Sequence, residues 1–157
     1  MTADRVPSRV EADGAGGLTY QGSCYLLVRP ETLVALQKAV EAVLGERAAA
    51  CLAAGGRAGG GTALQALEGV ARLLAMGGEI GWGAFALERL GSDELVVSVR
   101  NSPFARAYGA AVTPVCHLTR GVLERLAEVA LGAPAVATET ACAANGAPAC
   151  RFVARVR

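Results

Sequence analysis

Three stretches of the chain carry apolar residues at the spacing of an amphipathic helix. The first follows Pro30 and Glu31, a proline and an acid of the kind that occupy the first turn of a helix. The second begins with Thr62 as a capping residue, and the third begins with Thr113 and Pro114. The apolar stripe of the first helix consists of Leu33, Leu36, Val40, Val43 and Leu44. The pattern therefore predicts three helices with one apolar face each, a further helical piece over 46–54 and a short helical turn over 104–110.

Strands are predicted before, between and after these helices. Gly77 and Gly78 end the second helix, and a hairpin with strands over 79–90 and 94–101 follows them. A closing hairpin is predicted over 135–140 and 150–156, with the Asn145-Gly146 turn signal between its strands. A further β-like run, Tyr25-Leu-Leu-Val28, precedes the first helix, and Cys24 beside it is expected to be a small buried residue.

Glycine-rich segments interrupt the periodic pattern in two places. Residues 1–17 are polar and end in Asp-Gly-Ala-Gly-Gly, which predicts a flexible tail ahead of a single domain over 18–157. The segment Gly55–Gly61 is mostly glycine and is predicted to be a flexible loop. A glycine-rich loop before a helix can hold phosphate, but this segment lacks the Gly-Lys-Ser/Thr ending of such loops.

Composition and charge restrict the class of protein. The formal net charge of +1 over 157 residues argues against a nucleic-acid-binding surface. No uninterrupted apolar run reaches 18 residues, so no membrane span is expected. The chain begins with polar residues instead of a secretory apolar segment, and its five cysteines are odd in number. A reducing, cytoplasmic location is therefore expected, where thiols stay free.

Three of the cysteines and one acid fall in the last third of the chain at a distinctive spacing. Glu139 follows Cys116 by 23 residues, Cys142 follows Glu139 by three, and Cys150 follows Cys142 by eight. The turn signal at Asn145-Gly146 folds the last two cysteines toward each other. Three thiolates and one carboxylate make a closed tetrahedral set of the kind that structural zinc prefers.

The residues alone leave other interpretations of this set open. Cys142 and Cys150 could form a disulfide across the hairpin, or all three cysteines could be buried apolar residues. His117 is a rival fourth ligand. If Cys116 opens a helix, however, its neighbour points about 100° away from it. His117 is therefore expected to be a surface or core histidine.

The same residues resemble the carboxy-terminal signature of the 4-vinyl-reductase domain family, also called a hydrocarbon-binding domain. The family pattern is a cysteine before a helix, then Glu-x-x-Cys, a glycine-containing turn and Cys-x-Phe. It reads here as Cys116, Glu139-Thr-Ala-Cys142, Gly146 and Cys150-Arg-Phe152. In phenol-sensing members the corresponding four side chains hold a zinc ion. The resemblance, which covers residues 18–156, implies the same for Cys116, Glu139, Cys142 and Cys150.

The resemblance also implies a fold. The family is α+β, with an antiparallel sheet packed against helices. It shares this fold with vesicle-tethering TRAPP subunits and is similar to haem-based nitric oxide sensors. A sheet packed against helices is expected here as well.

The residues favour a function without catalysis, and the resemblance supplies the class of ligand. The sequence places no nucleophile, histidine and acid together, so an enzyme is not expected. The favoured interpretation is a stand-alone, zinc-stabilised module that binds or senses a small apolar or aromatic molecule and acts through a separate protein partner. Two alternatives stay open: an accessory or carrier protein in bacteriochlorophyll-type tetrapyrrole synthesis, and a structural adaptor without a ligand.

Few large aromatic side chains can line a ligand pocket, because only 4% of the residues are aromatic. The predicted ligand-binding residues are Trp82, Phe85, Phe104 and Tyr108, which lie on or just after the central hairpin. Trp82 and Phe104 would stack on the ligand and Tyr108 would donate a hydrogen bond. The same four side chains could instead fill the core.

A homodimer is also predicted. The first helix is rich in alanine and leucine, and no second layer of large aromatic residues is available to cover it. Surface is therefore left to bury, and a two-fold dimer is the commonest way to bury it. Residues 31–44 are expected to contribute to the interface.

Overall fold

Five α-helices and seven strands form within residues 9–64 and 69–157, which the structure, a computed structural model, describes. The helices are α1 (Pro30–Leu44), α2 (Ala48–Leu64), α3 (Val70–Glu79), α4 (Pro103–Tyr108) and α5 (His117–Leu131). The strands are β1 (Glu11–Ala12), β2 (Leu18–Tyr20), β3 (Ser23–Tyr25), β4 (Ala84–Leu90), β5 (Glu94–Arg100), β6 (Ala135–Ala141) and β7 (Cys150–Val156). The predicted α+β class, with antiparallel strands and helices, is confirmed.

The larger sheet has four antiparallel strands in the order β4-β5-β7-β6, and β1, β2 and β3 form a small separate sheet. Alternation along β5 puts Leu95, Val97 and Val99 on one face, where each is only 1% exposed. They form one core cluster with Leu123 and Phe152, from α5 and β7. The side chains of α5 and the sheet therefore share the main core.

The glycine-rich segment Gly55–Gly61 is helical, as part of α2, and the predicted loop is wrong. The reason is close packing of α2 against α5. A Cβ atom on Gly56 would overlap the backbone of Leu118, and one on Gly121 would overlap the backbone of Ala53. Glycine therefore lets the two helix backbones approach each other, and this tertiary contact outweighs the poor helix propensity of glycine.

Several predicted helix boundaries also need correction. Helix α3 continues through Gly77 to Glu79, so the strand expected from residue 79 starts at Ala84. Gly77 lies against the ring of Phe85, and a Cβ there would come within 2.7 Å of it, so the glycine serves packing and does not end the helix. Helix α5 begins at His117 and not at Thr113, because the backbone of Cys116, its N-cap residue, is not helical (φ −84°, ψ 51°).

The apolar run before α1 is not a strand beyond its first residue. Strand β3 ends at Tyr25, and Leu26 and Leu27 are 81% and 85% exposed. Cys24 is exposed as well, which corrects its expected burial. Tyr20, on β2 of the small sheet, is buried, whereas Cys24, Leu26 and Leu27 lie outside the core.

Strand β1 lies within the predicted amino-terminal tail. It pairs with β2 through Glu11 and Ala12, and the Asp13 carboxylate accepts hydrogen bonds from the N–H groups of Ala15 and Gly17, both at 2.8 Å. The domain boundary at residue 17 remains a prediction. Thr62, predicted to cap the second helix, lies instead inside α2, and the next helix begins at Val70. Residues 1–8 lie outside the described residues.

No helix in the described part of the chain is both long and apolar enough to span a membrane.

The contact between α2 and α5 predicts the effect of adding one methyl group. Gly121→Ala should destabilise the fold by about 1–3 kcal/mol, because the new Cβ has no room beside Ala53. Gly55→Ala, on the open face of α2, is the matched control and should be neutral or stabilise by up to ~1 kcal/mol. Urea unfolding of both variants measures the difference, and equal stabilities would contradict the close packing.

Candidate metal centre

Four side chains that the spacing singled out converge at one point. The ligand atoms of Cys116, Glu139, Cys142 and Cys150 all lie within 4.8 Å of one another. All four residues are buried, and Glu139, at 7%, is the most exposed of them. The predicted grouping is therefore present in the fold.

Different elements bring each of these side chains to the cluster. Cys116 is the residue just before α5, and Glu139 points inward from β6 on the same face as Ala135 and Ala137. Cys142 and Cys150 stand at the two ends of the connection between β6 and β7. That connection is a short 3-10 helix, Ala143–Asn145, followed by a glycine with a φ of 89°.

The expected Asn145-Gly146 turn is therefore present, as the end of this 3-10 helix. Gly146 takes the left-handed conformation that favours glycine, and its N–H donates to the carbonyl of Ala143 at 3.1 Å. The connection is longer than a two-residue hairpin turn, which leaves room for both cysteines to face inward.

Backbone and hydroxyl groups bond to the ligand atoms. The N–H of Cys116 donates to Glu139 Oε2 at 2.9 Å, which places a carboxylate at the N-terminus of α5. The N–H of Ala143 donates to Cys150 Sγ at 3.3 Å. Ser102 Oγ lies 3.5 Å from Cys116 Sγ. Such contacts fix the orientation of metal ligands before a metal binds.

The cysteines differ in their affinity for protons. A hydrogen bond to Cys150 and burial raise the pKa of Cys116, and the same bond lowers the pKa of Cys150 to about 7. Burial raises the pKa of Cys142 to about 11, although backbone hydrogen bonds from Val115 and Ala144 oppose this effect. Burial also raises the pKa of Glu139. The raised values reflect the cost of ionising groups that are buried close together, away from water.

The donor set fits a thiophilic cation such as zinc. Glu139 Oε1 is buried without a hydrogen-bond partner, which leaves a lone pair free for a metal. The sulfurs of Cys116 and Cys150 are 3.6 Å apart, close to the roughly 3.8 Å expected around tetrahedral zinc with Zn–S bonds near 2.3 Å. A cation there would stabilise the thiolate and carboxylate forms that burial disfavours.

The structure favours neither a disulfide nor His117 as a fourth ligand. All three cysteines are free thiols, so no disulfide joins Cys142 and Cys150. His117 is half-buried and does not belong to the cluster. Burial, ahead of the charge of Arg120, lowers the pKa of His117, which fits a partly packed histidine.

The four aromatic residues predicted to bind a ligand pack in or against the main core. Trp82 and Phe104 make an edge-to-face contact, with centroids 5.0 Å apart, and Phe85 packs on α3 beside Gly77. The hydroxyl of Tyr108 donates to Glu41 on α1 at 2.7 Å. Trp82, Phe85 and Tyr108 border the main core, and Phe104 belongs to it. Their role in ligand binding remains a prediction.

An open depression of about 570 Å³ lies next to the candidate metal centre. Its lining comes from α4 and the loop after it, together with the 3-10 connection between Cys142 and Cys150, and Arg106 and Asn145 are its polar residues. The four predicted aromatic residues are not part of this lining.

Two contributors to the site were not predicted. Ser102 caps α4 by accepting from the N–H of Ala105, and the Ser-Pro pair that starts this helix is a signal that could have identified it. Gln37, buried on α1, donates to the carbonyl of Val115 at 2.9 Å. A single glutamine in a helical pattern gives no sign that its side chain will bond to the backbone of a distant segment.

The carboxy-terminal part of the chain matches a known family. Residues 95–156 match the 4-vinyl-reductase domain, and this region starts in β5 and contains all four residues of the candidate metal centre. The resemblance to the 4-vinyl-reductase domain family is therefore confirmed. No curated protein matches this sequence.

Solved structures extend the likeness to nearly the whole chain. The phenol-responsive sensory domain of the transcription activator PoxR, solved with phenol, has a TM-score of 0.77 at 18% identity, covering 96% of this chain and 86% of that domain. A vinyl-4-reductase family protein from Methanocaldococcus jannaschii has a TM-score of 0.63 at 14% identity, covering 83% of this chain and 82% of the other.

A more distant neighbour belongs to a trafficking complex. Trafficking protein particle complex subunit 3 from Naegleria fowleri, covalently bound to palmitic acid, has a TM-score of 0.50 at 10% identity. The match covers 82% of this chain and 95% of that subunit. At these identities the likeness shows a shared fold, which is the fold that the sequence resemblance implied.

Proposed function

We propose that this chain is a zinc-stabilised module that binds a small apolar or aromatic molecule and acts through a partner protein. The observation that carries the proposal is the buried Cys116, Glu139, Cys142 and Cys150 cluster inside a fold shared with a phenol-bound sensory domain. Four protein ligands close the coordination sphere, so the metal would stabilise the hairpin and not activate water.

The role proposed for zinc is structural. Cys142 and Cys150 lie on the β6–β7 connection, Glu139 on β6 and Cys116 at the start of α5. A metal bound by all four would tie the hairpin to the helix. Its binding free energy would then be part of the folding free energy, as in small zinc domains.

The proposed ligand site uses Trp82, Phe85 and Phe104, with Tyr108 as the polar contact. Trp82 and Phe104 already touch edge to face, so a flat apolar ligand would have to separate them. Tyr108 donates its proton to Glu41, and its oxygen can still accept a hydrogen bond from a phenolic hydroxyl. The ligand class comes from the likeness to the PoxR sensory domain.

Native mass spectrometry of protein purified from its own host distinguishes the proposal from its alternatives. A bound aromatic molecule would support the sensing module, and a bound tetrapyrrole would favour the accessory or carrier protein. Zinc with no organic ligand would favour the structural adaptor.

Zinc content is the first prediction. Metal analysis should give one zinc per chain. Cys142→Ser removes a proposed ligand, so its zinc affinity should fall by more than the ~10–100-fold that is typical when a residue bonded to a ligand is lost. Because the pKa of Cys142 is about 11, protons compete with the metal, and affinity should fall as pH falls. Competition with a chromophoric chelator measures both effects.

The exposed Cys51 provides the matched control for this experiment. Cys51→Ser removes a thiol outside the cluster and should bind zinc like the wild type. A wild-type chain that folds fully after expression in zinc-containing medium, yet carries no metal, would exclude the zinc centre.

Ligand binding is the second prediction. Phenols and small arenes should change the fluorescence of Trp82, the single tryptophan, in a saturable manner. Tyr108→Phe should weaken phenol binding by about 0.5–1.5 kcal/mol, through loss of one hydrogen bond, without weakening the binding of arenes that lack a hydroxyl. No saturable response to phenols, arenes or a tetrapyrrole would contradict the ligand site and favour the adaptor.

Self-association is the third prediction, and its proposed interface is α1. Leu36 and Val43 on this helix are 61% and 81% exposed, so an apolar strip is left for a second copy. Leu36→Glu combined with Val43→Glu should convert a dimer to a monomer in sedimentation velocity. Leu90→Glu, at an exposed position on β4, is the control and should remain dimeric. A wild-type mass that stays monomeric at every concentration would contradict the interface.

A further inference from the structure

A buried amide on α1 reaches the backbone beside the candidate metal centre. Gln37 is 3% exposed, although it lies on a helix whose neighbouring residues are largely exposed. Its Nε2 donates to the carbonyl of Val115 at 2.9 Å and to Glu41 Oε1 at 2.9 Å. Both amide hydrogens are therefore used, one toward another segment of the chain and one within the helix.

The carbonyl that Gln37 binds belongs to the same peptide plane as the N–H of Cys116. That N–H donates to Glu139 Oε2 at 2.9 Å. A peptide unit is rigid and planar, so holding its carbonyl fixes the direction of its N–H. One continuous chain of hydrogen bonds thus runs from the Gln37 amide through this peptide to the Glu139 carboxylate.

Residues 108–116 form one segment that ends at Cys116, and its first residue, Tyr108, also contacts α1. Glu41 Oε2 accepts the hydroxyl of Tyr108 at 2.7 Å. Lys38 Nζ donates to the carbonyl of Tyr108 at 3.0 Å and stands 4.5 Å from the centre of its ring. Between these ends, the N–H of Ala111 donates to the carbonyl of Ala144, in the β6–β7 connection, at 2.9 Å. Residues 108–116 are therefore held between α1 and the candidate metal centre.

We propose that Gln37 is a positioning residue of the metal centre, acting from α1 through the Val115–Cys116 peptide on Cys116 and Glu139. The inference rests on the proposed zinc centre. Hydrogen bonds in a chain polarise one another, and a dry environment strengthens each of them. Gln37 therefore holds two of the four ligands, from different elements, in the arrangement that one ion needs.

Loss of the Gln37 amide should affect the metal more than the fold. The carbonyl of Val115 also accepts the N–H of His117 at 2.9 Å, so it keeps a partner without Gln37. Gln37→Met preserves the length and helix propensity of the side chain and removes only its polar end. This variant is expected to fold, with its metal ligands less well aligned.

The test compares zinc affinity and cobalt spectra of three variants with those of the wild type. Gln37→Met should bind zinc about 10–100-fold more weakly in chelator competition, as loss of outer contacts to metal ligands typically causes. Its Co²⁺ complex should show shifted d–d and thiolate charge-transfer bands. Tyr108→Phe, which breaks only the outer bond to Glu41, should give a smaller loss. Met76→Ala, in the smaller core cluster with Tyr20, should lose stability but keep wild-type affinity and spectrum.

Each outcome decides for or against the inference. Wild-type affinity and an unchanged cobalt spectrum in Gln37→Met would overturn it, as would an equal loss of affinity in Met76→Ala. If Gln37→Met fails to fold, Tyr108→Phe decides, and unchanged zinc affinity there would count against the inference. A wild-type chain that binds neither metal would refute the zinc centre itself, a result distinct from the others.

Discussion

The structure depends on one buried carboxylate. Removing an ionised carboxylate from water is unfavourable unless hydrogen-bond donors or an opposite charge compensate for the loss. Glu139 has a backbone N–H at one oxygen and no partner at the other, while three thiols surround it. The inward-facing side of β6, the residue before α5 and the connection before β7 all lie beside the Glu139 carboxylate. A single cation at this point would compensate the carboxylate and the three sulfurs together.

The site was more predictable from sequence than the helices were. The spacing of Cys116, Glu139, Cys142 and Cys150 identified the cluster, because strand pairing and one helix start bring those positions together with little freedom. The glycines of α2 were misread, because their local preference is for turns while their packing against α5 depends on distant residues. Local patterns cannot show which backbone a glycine will meet. The start of α5 was placed early because Thr113-Pro114 is a capping signal, whereas the backbone stays non-helical as far as Cys116.

The first helix shows the limit of periodicity more directly. Its apolar positions recur at helical spacing, yet Leu36 and Val43 face outward and the polar Gln37 faces the protein. Spacing identifies a helix and its faces, but it does not say which face meets the core. The buried face of α1 contains the apolar Val34 as well as Gln37, whose amide meets a carbonyl on another segment. An exposed apolar strip and a buried amide on one helix therefore have a common origin in how the helix is rotated.

The position of β7 within the sheet has a consequence for how the chain acquires its structure during synthesis. Strand β7 lies between β5 and β6, although it is made after both of them. While a ribosome is producing residues 101–149, β5 can pair only with β4, and its other edge is open to any passing strand. Cys150, the first residue of β7, is also the last ligand of the cluster to emerge. Closure of the sheet and completion of the cluster therefore occur at the same stage of translation, and until then the nascent chain is most in need of protection from aggregation.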